Sequence, residues 1–289
     1  MDLLEQLKGI VDLPTLPTTV VKVLRVVGRE NTGAADLAKV ITADQALAAK
    51  ILQVANSAFY GLPRKVSDIE RAVALLGFRE VRDISLGVSV FDSLYLPTKG
   101  AYWNRAKFWE HCFVVGYLTR ELAKARAGSD GGNAFAAGLL HDIGKVILDR
   151  YFSDVFRQIL EKVDVEQARY WRVESEQLGT GHDVIGGYLL GVWNLPDDLV
   201  AGVTGHHRPQ EEEEEMATWV YVANNLAHIA GFTAMPSEPD CAMEDFLAAP
   251  ETVALKQAGK LPGDTLLHNL LTLLDEQAEQ LSAEAAMLF

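Results

Sequence analysis

The chain is 289 residues long, 49% apolar and 23% charged, the composition of an ordinary soluble globular protein with material for one large or two modest cores. Its 26 basic and 40 acidic residues give a formal charge of −14, which repels a polyphosphate backbone; no basic patch offsets it, so nucleic acid is excluded as an expected partner. No apolar run approaches the roughly 20 residues that span a bilayer, and the opening MDLLEQLKGIVDLP has no secretory signature, so no membrane contact is expected and the cytoplasm is the expected compartment.

Helical periodicity dominates in chain order. Apolar residues recur three and four apart in Val20, Val23, Leu24 and Val27, then in Leu37, Val40 and Ile41, then in Leu47, Ile51, Leu52 and Ala55. Turn chemistry separates these stretches: Pro14 and Pro17, Asn31 to Gly33, Gly61 and Pro63, Gly77, and Pro97 to Gly100. Asp36, Thr42, Asp44 and Ser67 are expected N-caps, because their side-chain oxygens can accept from the orphan amides of a first turn. Phe59, Tyr60 and Phe78 read as packing anchors at helix joints, and Arg79 with Arg82 could line a contact face for an acidic partner or a phosphorylated segment. The fold class is all-α, a two-lobed helical bundle. Its expected parts are an amino-terminal lobe over 1–98, a helical core over 99–235, and a tail over 236–289 that packs on the core. The break at Thr233 to Asp245 is expected to precede two terminal helices. Cys112 and Cys241 lack metal-type spacing and suggest neither a disulfide framework nor a zinc knuckle. Glu211 to Glu215 read as a solvated loop or helix start.

The chemistry lies after residue 98, since the first lobe has no histidine. GLLHDIGK sets His141 beside Asp142 with Lys145 three residues on, and His111, His182, His206 and His207 lie around it at intervals that a helical bundle can fold onto one centre. Imidazole suits zinc, iron, manganese, cobalt or nickel, and a carboxylate can bridge two such ions. Neighbours on a helix point about 100° apart, so His141 and Asp142 share a metal only where a helix end lets them converge; the same holds for His206 and His207, one of which could stand behind the other. Lys145 is expected to face solvent, becoming a phosphate clamp or proton donor if a ligand binds beside the metal. His228 and His268 read as half-buried packing residues.

GLLHDIGK with an upstream histidine resembles the HD superfamily of metal-dependent phosphohydrolases. LPTLP, DLAKVITADQALAAKILQVANSAFYG and IERAVALLGFREVRDISLG resemble its HDOD branch, the HD-related output domains of bacterial signalling proteins, over roughly residues 10 to 230. The resemblance implies an HD-type helical core and, from the related HD-GYP phosphodiesterases of cyclic di-GMP, a ligand set. His111 matches the first histidine, His141 and Asp142 the doublet, His182 the histidine of the HxxxG string, and His206 and His207 the HH pair. The final aspartate of VADxxD is replaced in VANNLA by Asn224, and RPQEEEEE stands where the GYP loop would be. An amide oxygen can coordinate but carries no charge, and a unit-charge pair at 4 Å is worth about 4 kcal/mol at an effective dielectric of 20, so a weakened metal is expected.

The implied function is a regulatory or output module of the HDOD type acting through other signalling proteins, with a degenerate centre that holds one or two divalent ions of iron, manganese, zinc or nickel, or stands empty. The alternative is a metal-dependent phosphohydrolase acting on a nucleotide or cyclic dinucleotide, with Lys145 in a catalytic role. Histidine ligands must be deprotonated, so any metal is expected to leave as the pH falls towards 5.

Overall fold

A computed structural model of the protein describes residues 3–27, 32–56, 65–94, 103–127, 132–235, 239 and 241–288. The fold is all-α, with no strand among the described residues. The chain divides into two compact units, one of residues 1–13 and 98–276, the other of 14–97 and 277–289. The first unit therefore includes the short opening helix α1 (Leu3–Lys8).

The second unit holds α2 (Thr18–Val27), α3 (Ala34–Thr42), α4 (Gln45–Ala55), α5 (Ile69–Leu76) and α6 (Phe78–Leu94). The three-and-four spacing turns Val20, Val23, Leu37, Ile41, Leu47 and Ile51 into its core, each 3% exposed or less. Asp44 caps α4 by accepting from the Leu47 amide at 3.1 Å. The other expected caps are displaced. Asp36 is the third residue of α3 and accepts from the Gly33 amide at 2.9 Å, so glycine holds the cap position and the carboxylate reaches back to it. Thr42 ends α3, its hydroxyl donating to the Ala38 carbonyl at 2.7 Å. Asp68, not Ser67, caps α5 through the Arg71 amide at 2.8 Å. Arg82 pairs with Asp83 at 2.6 Å while Arg79 is exposed. Phe59 and Tyr60 lie outside the described residues.

The first unit continues with α7 (Arg105–Ala127), α8 (Ala134–Leu140), α9 (Ile143–Tyr151), α10 (Ser153–Glu166), α11 (Tyr170–Leu178), α12 (His182–Val192), α13 (Asp197–Thr204) and α14 (Glu215–Ile229). A short 3₁₀ turn, Pro209–Glu211, stands before α14, and the acidic residues that follow are largely exposed. Close helix approaches bring the chemistry together. A β-carbon on Gly138 of α8 would lie 2.7 Å from the α-carbon of Gly116 on α7, so these helices meet backbone to backbone. One on Gly144 of α9 would lie 2.0 Å from the His182 carbonyl at the head of α12, so only glycine permits that crossing.

After α14 come α15 (Met243–Ala248), α16 (Pro250–Gln257) and α17 (Asp264–Leu288), three helices where two were expected. The split falls at Ala249, which is extended ahead of Pro250, as the ring of a proline requires of its predecessor. Cys112 and Cys241 are buried free thiols.

Candidate metal centre

Most of the candidate ligands stand at helix ends. His141 follows the last residue of α8 and Asp142 precedes the first of α9, so the bend between them replaces the 100° divergence of a continuous helix, and His141 Nε2 lies 3.5 Å from Asp142 Oδ1. His182 opens α12, and His206 and His207 follow α13. His111 projects from the interior of α7.

Four imidazoles share one arrangement. Nδ1 of His111 donates to the Phe232 carbonyl at 2.7 Å, that of His141 to the Gly138 carbonyl at 2.7 Å, and that of His206 to the Val203 carbonyl at 2.6 Å. Nδ1 of His182 donates to Glu174 Oε2 at 2.6 Å. None of these partners can donate, so each Nδ1 carries the proton and each Nε2 faces inward. His111 Nε2 and His141 Nε2 are 3.4 Å apart, and His182 Nε2 and His207 Nε2 are 3.0 Å apart. Asp142 stands between them, with Oδ1 2.9 Å from His182 Nε2 and 3.8 Å from His206 Nε2, and Oδ2 3.9 Å from His111 Nε2.

Lone pairs so placed repel one another unless a proton or a metal ion lies between them, and on His182 a proton can do so. The buried His206 Nε2 has no hydrogen-bond partner among the described residues, nor does the buried Oδ1 of Asn224 on α14. Two groups could each hold an ion: His111, His141 and Asp142 form one, His182, His206 and His207 the other, with the ligand atoms of each group within 4.8 Å of one another. Nitrogen donors with one carboxylate fit a borderline transition ion better than calcium or magnesium, and Nδ1 bonds to carbonyl or carboxylate oxygens are the usual support behind a ligating histidine.

Lys145 departs from expectation. It is 3% exposed, its ammonium 2.7 Å from Asp142 Oδ2 and 4.9 Å over the Tyr170 ring, because α9 turns its first turn into the protein. His228 is also closer to the chemistry than a packing residue would be. One turn beyond Asn224 on α14, it is buried with its ring 5.0 Å from that of His111. His268 is exposed rather than half-buried. Glu174 was missed. Fully buried, it accepts from both the amide and Nδ1 of His182, at 2.8 and 2.6 Å. Its signal was a charged residue on the apolar face that Tyr170 and Val173 mark on α11. Lys145, His182, His207 and Asn224 border a cavity of about 270 Å³, whose other walls include Arg169, Trp171 and Arg172, and the Trp171 ring stacks on His207 at 5.2 Å.

Burial holds His141, His206 and His207 below the usual histidine range, His206 down to about 4, with positive neighbours adding to the effect. Burial opposes charge on His182 as well, but the Glu174 and Asp142 carboxylates outweigh it and push His182 up to about 9. In the metal-free protein the first three groups contribute stability that is present above the unfolded histidine value of about 6.5 and lost as the pH falls below it. The contribution of His182 is present below that value and lost as the pH rises through about 9. The thermal midpoint of chelator-treated protein is therefore expected to peak near neutrality and fall on both sides, as circular dichroism melts from pH 4 to 9 would record. A midpoint that rises steadily into acid would contradict these environments.

The family model for the HDOD domain matches residues 13–209 of the chain. An uncharacterised protein of Treponema pallidum (strain Nichols) is 26% identical over 233 residues, covering 77% of this chain; the chain spans 44% of that relative's length. Among solved structures, an HDOD domain protein of unknown function from Geobacter sulfurreducens superposes with a TM-score of 0.81 at 23% identity, over 99% of this chain and 96% of the other. A protein from Shewanella amazonensis SB2B, provisionally named a phosphohydrolase, superposes with a TM-score of 0.75 at 27% identity, over 96% of this chain and 95% of the other. One from Marinobacter aquaeolei VT8, provisionally named a signal transduction protein, superposes with a TM-score of 0.77 at 21% identity, over 100% of this chain and 61% of the other.

Proposed function

We propose that this chain, which belongs to the HDOD domain family, is a regulatory module of bacterial signalling whose helical core is built around a metal centre. The observation that carries the reading is the convergence of Nε2 atoms on Asp142 from imidazoles whose Nδ1 atoms are already committed to carbonyl and carboxylate acceptors. That preparation leaves Nε2 atoms turned inward where a cation can be received. His111, His141 and Asp142 would hold one divalent ion, His182, His206 and His207 a second, and Asn224 offers its amide oxygen from α14. Bound there, such an ion supplies positive charge and Lewis acidity to whatever enters the cavity. Glu174 orients His182, and Lys145 holds the outer oxygen of Asp142 so that the inner one faces the imidazoles. Asn224 in place of a carboxylate favours a sensing or structural role over turnover, because the centre carries one fewer negative charge. The partner it signals to is another protein of the same signalling system.

A second reading, a metal-dependent phosphohydrolase, draws on the basic cavity beside the centre. In it Lys145 would stabilise a phosphoryl oxygen, and the substrate would be a nucleotide or cyclic dinucleotide.

Elemental analysis of protein purified without added metal tests the main reading. Near-stoichiometric transition metal is expected in the native chain and loss of most of it in His141→Ala. Native protein that stays metal-free even after incubation with iron, manganese, zinc and nickel would refute the reading. Turnover of a phosphodiester panel that His141→Ala abolishes would replace the regulatory role with the enzymatic one.

A further inference from the structure

The candidate ligands are not held alike. Nδ1 of His111, His141, His182 and His206 each has a backbone or carboxylate acceptor within 2.7 Å, and these residues are 1% exposed or less. His207 differs on both counts. It is half-buried, and its hydrogen-bonding neighbour among the described residues is His182, Nε2 to Nε2 at 3.0 Å, so its Nδ1 has no acceptor behind it there.

The His207 ring is held instead by Trp171. The two rings lie 16° from parallel with centroids 5.2 Å apart, in the stacked arrangement that aromatic pairs favour. The His182 and His206 rings also stand close to it, at 4.9 and 4.0 Å, but are tilted by 81° and 45°. Trp171 comes three residues before Glu174 on α11, a helix that offers no ligand of its own. That helix therefore supports two histidines of the second group, His182 through a carboxylate and His207 through a ring face. The two kinds of support differ in what they fix. A hydrogen bond to Nδ1 sets the direction and the tautomer of an imidazole, whereas stacking sets its plane.

His207 and Trp171 also border two cavities. One, of about 270 Å³, has Lys145 and Asn224 among its walls; the other, of about 310 Å³, has Ser175, Thr180 and Arg208. His206 borders neither of them. A His207 ring that leaves the ion has space to enter, and the position it vacates is open to a small molecule from that space.

Resting on the metal reading above, we infer that Trp171 is the positioning residue of the second ion: its ring holds His207 in place by stacking, and His207 is the exchangeable ligand through whose position molecules in these cavities reach the ion. The remaining histidines form a fixed frame. Regulation at the centre is then an exchange at one coordination position, with no rearrangement of the helices that carry the others.

Co²⁺ titration of the chelator-treated chain, read by equilibrium dialysis and visible absorption, tests this. The native chain is expected to take up two ions. Trp171→Ala is expected to weaken one about tenfold and to leave the other unchanged, a loss at the low end for removal of support behind a ligand. Trp171→Phe, which keeps a ring to stack, is expected to restore most of the affinity, and Trp171→Leu, which keeps only bulk, is not; this pair carries the comparison if the alanine variant fails to fold. Adding Trp171→Ala to His207→Gly is expected to cost nothing further, since the tryptophan acts through the histidine. Exogenous imidazole is expected to restore the second ion and its absorption to His207→Gly but not to His206→Gly. A second ion unaffected by Trp171→Ala, or lowered equally with the first, overturns the positioning role, as does equal affinity in the Phe and Leu variants or a further loss in the double variant. Failure of imidazole to rescue His207→Gly, or equal rescue of His206→Gly, overturns the exchange. A native chain that binds one Co²⁺ regardless of His207→Gly overturns the inference and leaves the ion at His111, His141 and Asp142, while one that binds none sinks the metal reading as well.

Discussion

Asp142→Ala is expected to destabilise the metal-free protein by about 3–5 kcal/mol, the range for removing one partner of a buried ion pair. Lys145 lies 2.7 Å from Asp142 Oδ2, and the residues are 3% and 1% exposed, so the variant leaves a buried ammonium without its carboxylate, 4.9 Å from the Tyr170 ring face. The Asp142→Ala, Lys145→Met double variant is expected to recover most of the loss, because replacing both members of a buried pair by apolar groups is often close to neutral. Urea unfolding in the presence of chelator, at pH 7, measures both. A double variant no more stable than the single one would mean that the carboxylate mainly restrains the imidazoles, and that the ion pair is incidental.

Gly144→Ala should be nearly as damaging from a single methyl group. The added β-carbon would stand 2.0 Å from the His182 carbonyl oxygen, in contact with backbone that cannot rotate aside. Helices α9 and α12 must separate, at an overpacking cost of about 1–3 kcal/mol or more. The separation also draws His182 away from Asp142, whose Oδ1 now lies 2.9 Å from His182 Nε2, so metal affinity is expected to fall together with stability. Gly191 on the same helix supplies the control, for a β-carbon there meets nothing within 4 Å. Gly191→Ala should be neutral or stabilising by up to about 1 kcal/mol from helix propensity. Comparable losses in the two variants would show that the helix, and not the crossing, is sensitive to the change.

The helices and the clustering of most of the histidines around Asp142 were legible in the sequence for different reasons. Amphipathic spacing is a local property, so Val20, Val23, Leu37 and Ile41 announced the faces they bury. The adjacency of His141 and Asp142 is also local, and it pointed to a helix end as the condition for convergence, which is where the two residues lie. Lys145 was misjudged because its burial depends on α9 lying against α12 and on a tyrosine 25 residues away, neither of which is a property of its own neighbourhood. Glu174 and the carbonyls of Gly138, Val203 and Phe232 escaped for the same reason: support behind a ligand comes from wherever the backbone passes, and an acceptor carbonyl has no residue-type signature. The caps shifted by one to three residues because several of these short polar side chains can serve and the backbone selects among them.

The placement of His141, Asp142, His182, His206 and His207 at helix termini bears on how the core comes apart. Termini are where helices fray first, and here they are separated along the chain by long stretches of other structure. An ion bound as proposed would work as a rivet, closing large chain loops at one point and suppressing opening at several helix ends together. Amide hydrogen exchange along α8, α9, α12 and α13 would then slow as one cooperative block on metal loading, and any partner that reads the surface of those helices would be reading the occupancy of a site it never touches.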